Sequence, residues 1–178
     1  FSFSVSISNV TTNDKNTVIS SSLSTLPVII NKAAYCNLKS GIPSNSQLIS
    51  NRAGWIINVE EGVEGAPNNL IDGKTGTDVA LNNKGFWFTV DLGEAKVLTG
   101  IKTNHWVNAY APREVEILQS ENGTTWKSLS SLAISGGTQN ITFISPITTR
   151  YLKYQIITIS TNGRTDVTEF NVYEPKSE

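Results

Sequence analysis

Apolar residues in this 178-residue chain alternate with polar ones at period two almost wherever they occur, and that restricts the chain to β-structure. In REVEILQS (113–120), Val115 and Ile117 share one side while Glu114 and Glu116 take the other. In TEFNVY (168–173), Phe170 and Val172 oppose Asn171 and Tyr173. Successive side chains of a strand point to opposite faces, so such a segment buries one face and wets the other. The same pattern runs through FWFTVDL (86–92), KVLTGIKT (96–103), QNITFIS (139–145) and RYLKYQII (150–157). No window of a dozen residues keeps a helical stripe. Turn dipeptides at Asp72-Gly73, Asn122-Gly123, Gly136-Gly137 and Asn162-Gly163 punctuate the runs. We expect an all-β, antiparallel fold, closed as a two-sheet sandwich or jelly roll.

The start of the chain has a different texture. FSFSVSIS and LPVIINKA read as strands, the hydroxyl-rich stretch between them does not, and SGIPSNSQ (40–47) reads as a linker. The expected organisation is a short β-rich N-terminal segment, 1–48, either the remnant of a preceding domain or an added pair of strands. The sandwich would then span 49–178. The opening residues lack the basic and small-residue features of a leader, so the chain reads as a trimmed piece, a monomeric module of a larger protein. Its net charge of -1 supplies no basic field, which argues against a nucleic-acid partner or an anionic membrane. No apolar run approaches the roughly 18 residues of a membrane span. Cys36 is the only cysteine, so neither an internal disulfide nor a cysteine-based zinc site is expected.

Four segments carry chemistry. In NNLIDGKTGTDV (68–79), Asp72, Gly73 and Thr77 form a polar turn between apolar residues, suited either to a cation or to a tightly capped loop. A second carboxylate, Glu169, opens the alternating strand VTEFNVYE (167–174). In NHWVNAYAP (104–112), polar and aromatic residues interleave between two strands. There Trp106 is suited either to stack on a pyranose face, with Asn104, His105 and Asn108 offering hydrogen bonds to hydroxyls, or to close one end of the core, with His105 a packed or surface residue. Arg164, in the polar loop STNGRTD (160–166), either reaches the same face or is a solvated arginine. Catalytic patterns are missing: there is no nucleophile elbow, no His-Glu-x-x-His and no phosphate loop. A Cys36–His105 pair, or carboxylates drawn from Glu60, Glu61 and Glu64, are the weak remaining options, and we expect a non-enzyme.

From about residue 50 onward, seven segments follow one another as in a known family. They are AGWIINV (53–59), NNLIDGKTGT (68–77), GFWFTVDLG (85–93), VLTGIKT (97–103), YAPREVEILQSENGTTWKSL (110–129), TTRYLKYQI (148–156) and VTEFNVYE (167–174). Together they resemble the discoidin, or coagulation factor type C, domains, whose bacterial members include the family 32 carbohydrate-binding modules. The resemblance implies a jelly-roll sandwich with Trp87 and Trp126 as framework residues. It also implies a structural calcium ion held by Asp72, the Lys74 carbonyl, Thr77 and Glu169, a donor set of oxygens that suits a hard cation. Asp72 capping its own turn, with Glu169 paired to a nearby base, is the alternative.

Loops at the 104–110 end carry the ligand in carbohydrate-binding relatives. That makes His105, Trp106, Asn108, Tyr110 and Arg164 the candidate contacts, although Tyr110 also belongs to the family framework. The implied function is a non-catalytic glycan-binding module of a secreted or surface-anchored bacterial protein, on the outer surface or in the periplasm. A cell-adhesion or protein-interaction module is the other class the family allows.

Overall fold

Each alternating run becomes a strand in the residues that the structure, a computed structural model, describes, which are 37–177. The strands expected in FSFSVSIS and LPVIINKA, and Cys36, fall outside that range. In order they are β1 (Leu38–Ser40), β2 (Ser46–Leu48), β3 (Ile56–Val59), β4 (Val79–Asn82), β5 (Trp87–Asn104), β6 (Glu114–Ser120), β7 (Lys127–Ala133), β8 (Thr138–Thr158), β9 (Arg164–Val167) and β10 (Glu169–Pro175). Two single turns of 3-10 helix, Pro67–Ile71 and Asn108–Tyr110, interrupt the loops. The pairing is antiparallel throughout these strands.

The sandwich is built by two long strands that serve both layers. β5 pairs with β8 from Trp87↔Gln155 to Asp91↔Tyr151, breaks register, and resumes at Lys96↔Thr149. At that break both strands bend from one layer into the other, as bulged strands do at sandwich corners. One layer then runs β3-β5-β8-β6-β7, and the other β2-β10-β5-β8-β1. The corner is fixed chemically. Gly93 sits at φ 82, a left-handed conformation that a side chain disfavours. Its N–H donates to Asp91 Oδ1 at 2.8 Å, and Arg150 clamps both oxygens of Asp91 at 2.7 and 2.9 Å.

Between the layers lie Phe88, Val90, Leu98, Ile101, Ile117, Ile141, Leu152 and Phe170, all almost completely buried. Each is worth roughly 1.5–3 kcal/mol of apolar burial. Phe88 stacks on Tyr154 with centroids 5.1 Å apart, and Phe170 meets Phe88 edge-on at 5.2 Å.

Several expectations are corrected. Residues 40–47 are not a free linker but lie across the second layer. There the Gly41 N–H donates to Asn140 O at 2.9 Å, Thr142 Oγ1 to Gly41 O at 2.6 Å, and the Lys176 N–H to Asn45 O at 2.9 Å. Pro43 packs against Gly100, where an added Cβ would meet its Cγ at 2.8 Å. Tyr173 does not face outward with Asn171; it is buried, and its hydroxyl donates to Asn140 Oδ1 at 2.8 Å. Trp87 is half-buried on the outside of its sheet, with Lys153 Nζ 4.7 Å from its ring centroid, rather than in the core.

Because β5 leaves one end of the sandwich at Trp87 and returns to it at Asn104, the loops around 83–86, 105–113, 134–137 and 159–163 gather there. The Asn83 N–H donates to Gly163 O at 2.5 Å, and the His105 N–H to Gly137 O at 2.7 Å. The bends at 92–96 and 144–149 and the hairpin at 121–126 occupy the opposite end.

Candidate functional site

The loop 104–113 closes the gathered end, and its side chains divide sharply between inside and outside. Trp106 is 57% exposed and Val107 44%, while His105 between Asn104 and Trp106 is only 5% exposed. His105 was expected among the ligand contacts; it is instead folded inward. Its Nδ1 lies 2.6 Å from the main-chain oxygen of Asp166, and its Nε2 lies 3.3 Å from Thr103 Oγ1. A carbonyl only accepts, so Nδ1 carries the proton. The carboxylate of Asp166, fully buried, accepts the Trp106 N–H through Oδ1 at 3.1 Å, and Oδ1 is 3.7 Å from His105 Nδ1. Its second oxygen, Oδ2, has no hydrogen-bond partner among the described residues.

Asn108 faces solvent, and its Oδ1 accepts the N–H of Gly137, tying the loop to the β7–β8 turn. Tyr110 closes the short 3-10 turn through its N–H to Val107 O at 3.0 Å and is half-buried. Asn104 Nδ2 donates to Thr138 Oγ1 at 2.9 Å. The exposed indole is thus carried on a loop stitched on one side to β9 and on the other to the turn at 136–137.

Arg164 does not reach out as expected. Its Nη1 is 2.8 Å from Glu64 Oε2 and its Nη2 is 2.9 Å from Asp78 Oδ2, so both arms of the guanidinium are taken. The hydrogen bond to Glu64, with support from Asp78, outweighs partial burial and raises its pKa above the ordinary arginine value. Arg164 therefore pins the β4–β9 ladder, in which it stands opposite Asn82.

The turn at 72–77 does meet Glu169. Asp72 Oδ1 accepts the Lys74 N–H at 2.8 Å, Asp72 Oδ2 accepts Thr77 Oγ1 at 2.8 Å, and Thr77 Oγ1 lies 3.4 Å from the Lys74 carbonyl. Glu169, its side chain 6% exposed, accepts the Gly73 N–H through Oε1 and Arg52 Nη1 through Oε2 at 2.9 Å. Desolvation raises the Asp72 carboxyl, but the Thr77 hydroxyl, the Lys74 N–H and the Lys74 charge outweigh it and hold the group below its ordinary value. Both halves of the alternative reading, a self-capped Asp72 and a paired Glu169, are present. The same four residues still offer an all-oxygen donor set: two carboxylates, a hydroxyl and a carbonyl. Among the described residues no group of three or more His, Cys, Asp or Glu is placed to hold a metal, so a cation here relies on the hydroxyl and carbonyl as well. That composition fits a hard cation and not a soft one.

Sequence reasoning missed two members of these clusters, Arg52 and Asp166. Each meets its partner across 60 or more positions of chain. The polar, loop-like setting of Asp166 in STNGRTD gives no sign that it is buried.

The fold and its loop end define the class: a discoidin-type jelly-roll β-sandwich domain. The F5/8 type C domain family matches residues 50–170, and the chain belongs to that family. Among curated proteins none matches the sequence. Solved structures do. An F5/8 type C domain of a Bacteroides fragilis protein superposes with a TM-score of 0.64 at 19% identity, covering 76% of this chain and 100% of that one. The family 32 carbohydrate-binding module of Clostridium perfringens NanJ, solved with galactose, gives 0.56 at 22% identity over 77% of this chain and 99% of that one. A pectin-binding carbohydrate-binding module gives 0.57 at 18% identity over 71% of this chain and 91% of that one. At these identities the likeness establishes the shared fold.

Proposed function

We propose that this domain is a non-catalytic carbohydrate-binding module that takes a glycan at the 104–113 loop by stacking a sugar ring on Trp106. The observation that carries the reading is a large aromatic side chain, 57% exposed, on a loop held by buried hydrogen bonds. An exposed indole on a rigid mount loses little entropy on binding, and its π face suits the C–H face of a pyranose. Asn108 adds an exposed amide beside it. His105 and Arg164 are not contacts in this reading; they hold the loop and its neighbouring ladder. Similarity in fold to a module solved with galactose and to a pectin-binding module supports the ligand class.

A monosaccharide of about a dozen heavy atoms at about -0.3 kcal/mol per atom gives about -4 kcal/mol, or roughly millimolar affinity. Useful retention then comes from multivalency or from tethering to a larger protein, secreted or displayed on a bacterial surface. None of the helices among the described residues is long and apolar enough to cross a membrane. The turn at Asp72, Lys74 and Thr77, with Glu169, is proposed to take a structural calcium ion that would tie the first long loop to the last strand.

The test is a glycan array probed with the wild type and Trp106→Ala. Binding that Trp106→Ala abolishes supports the site. Binding unchanged by the substitution moves the site elsewhere, and a wild type that binds no glycan favours an adhesion or protein-interaction module.

A further inference from the structure

We propose that the opposite end of the sandwich holds a second small-ligand site, for an uncharged, hydroxyl-rich molecule, independent of Trp106. Two adjoining clefts lie there. One, of about 370 Å³, opens between the β6–β7 hairpin and the bend of β8. The other, of about 400 Å³, continues from it toward Gly93 and Arg150. Glu121, Thr148 and Thr149 line both. Volumes of this order are those of small-molecule sites, roughly 300–1,000 Å³.

The walls are preorganised. Asn122 Oδ1 accepts the N–H groups of Thr124 and Thr125, each at 2.9 Å, and Ser120 Oγ accepts the Gly123 N–H at 3.0 Å. Thr149 Oγ1 donates to Ser120 O at 2.8 Å, which fastens the hairpin to the floor. A rigid cleft loses little on binding.

One polar atom in the lining is left without a partner. Gln119 lines the first cleft, and its Oε1 is buried with no hydrogen bond among the described residues. A buried acceptor left unmade is costly, and Gln119 is shared between this cleft and a smaller one of about 170 Å³ beside Asn37 and Leu129.

Charge selects the ligand. Glu121 and Lys127 carry opposite signs in the same cleft, and neither forms a salt bridge with another described residue. In the second cleft Glu94 is paired with Lys96 at 2.6 Å and Arg150 with Asp91 at 2.7 Å. No net charge is left to attract an ion of either sign. What remains is an acceptor (Glu121), a donor (Lys127) and hydroxyls that do both (Thr125, Thr148), the complement of a sugar or polyol edge.

The experiment is a ¹⁵N chemical-shift titration of the full chain with galactose, glucose and N-acetylglucosamine, with glucuronate and glucosamine as charged counterparts. The proposal expects saturable shifts at the amides of Gln119, Asn122 and Thr148 for at least one neutral sugar, kept in Trp106→Ala. It expects weaker binding of the charged sugars. Glu121→Leu removes the exposed carboxylate common to both clefts and should weaken this binding by about tenfold. Thr148→Trp, at an exposed position, fills the cleft and should abolish it, a second test at a separate residue. The proposal is overturned if no neutral sugar shifts these amides, if the shifts vanish in Trp106→Ala, or if they survive Thr148→Trp unchanged.

Discussion

His105 donates through Nδ1 to the main-chain carbonyl of Asp166 at 2.6 Å, and the Asp166 carboxylate in turn accepts the N–H of Trp106, the residue next to that histidine. Two bonds, one buried and one partly buried, each made across about sixty positions of chain, thereby set where an exposed indole stands. Replacing His105 by Ala leaves a buried carbonyl unpaired and a hole beneath the loop, and is expected to destabilise the domain by about 2 kcal/mol. Glycan affinity should fall as well, although His105 touches no ligand. Urea denaturation together with a binding titration checks both effects.

Calcium is expected to raise the melting temperature of the wild type and a chelator to lower it. At a calcium concentration about a hundred times the dissociation constant, the stabilisation would be about 2.7 kcal/mol. Asp72→Ala should remove the response while leaving the Arg52–Glu169 pair in place. A wild type whose melting is indifferent to both additions means that the turn is held by hydrogen bonds alone.

Gly100→Ala is expected to destabilise by about 1–3 kcal/mol, because the new Cβ meets Ile141 O and the Pro43 ring. The same substitution at Gly76, where nothing lies within 4 Å of the added atom, should be near neutral. Thermal melting of the two variants separates close approach from glycine content in general.

Acid should weaken the corner through Asp91. The Arg150 hydrogen bond, followed by the Gly93 N–H, holds its carboxyl below the ordinary 3.8 against the opposing effect of burial. A carboxylate depressed by folding contributes its stability above the unfolded-state value and loses it as the pH falls through the folded-state value. Stability should therefore drop below about pH 4, and Asp91→Asn should flatten that slope in denaturation curves recorded from pH 2 to 6.

How much of this is legible in the sequence varies with the physics involved. Strand identity is local: the alternation of Val115 and Ile117 with Glu114 and Glu116 reappears directly as the inner and outer faces of β6. Of the five glycines in the four turn dipeptides, Gly73, Gly123, Gly136 and Gly163 take positive φ and Gly137 does not. The union of 86–92 with 96–103, and of 139–145 with 150–157, into two continuous bent strands is not legible, since Gly93 reads as a turn wherever the chain resumes. Pairing of distant polar groups is the least legible. Nothing around Arg52 points to Glu169, and nothing in STNGRTD distinguishes the buried Asp166 from the half-exposed Arg164.

The claim that the Trp106 loop binds a glycan is tested most directly by titrating one array-selected glycan into the wild type, Trp106→Ala and Trp106→Phe by calorimetry. The account predicts roughly millimolar binding for the wild type. It predicts partial retention in Trp106→Phe and loss in Trp106→Ala, with folding intact by circular dichroism. Equal affinity in the wild type and Trp106→Ala at this loop would contradict it.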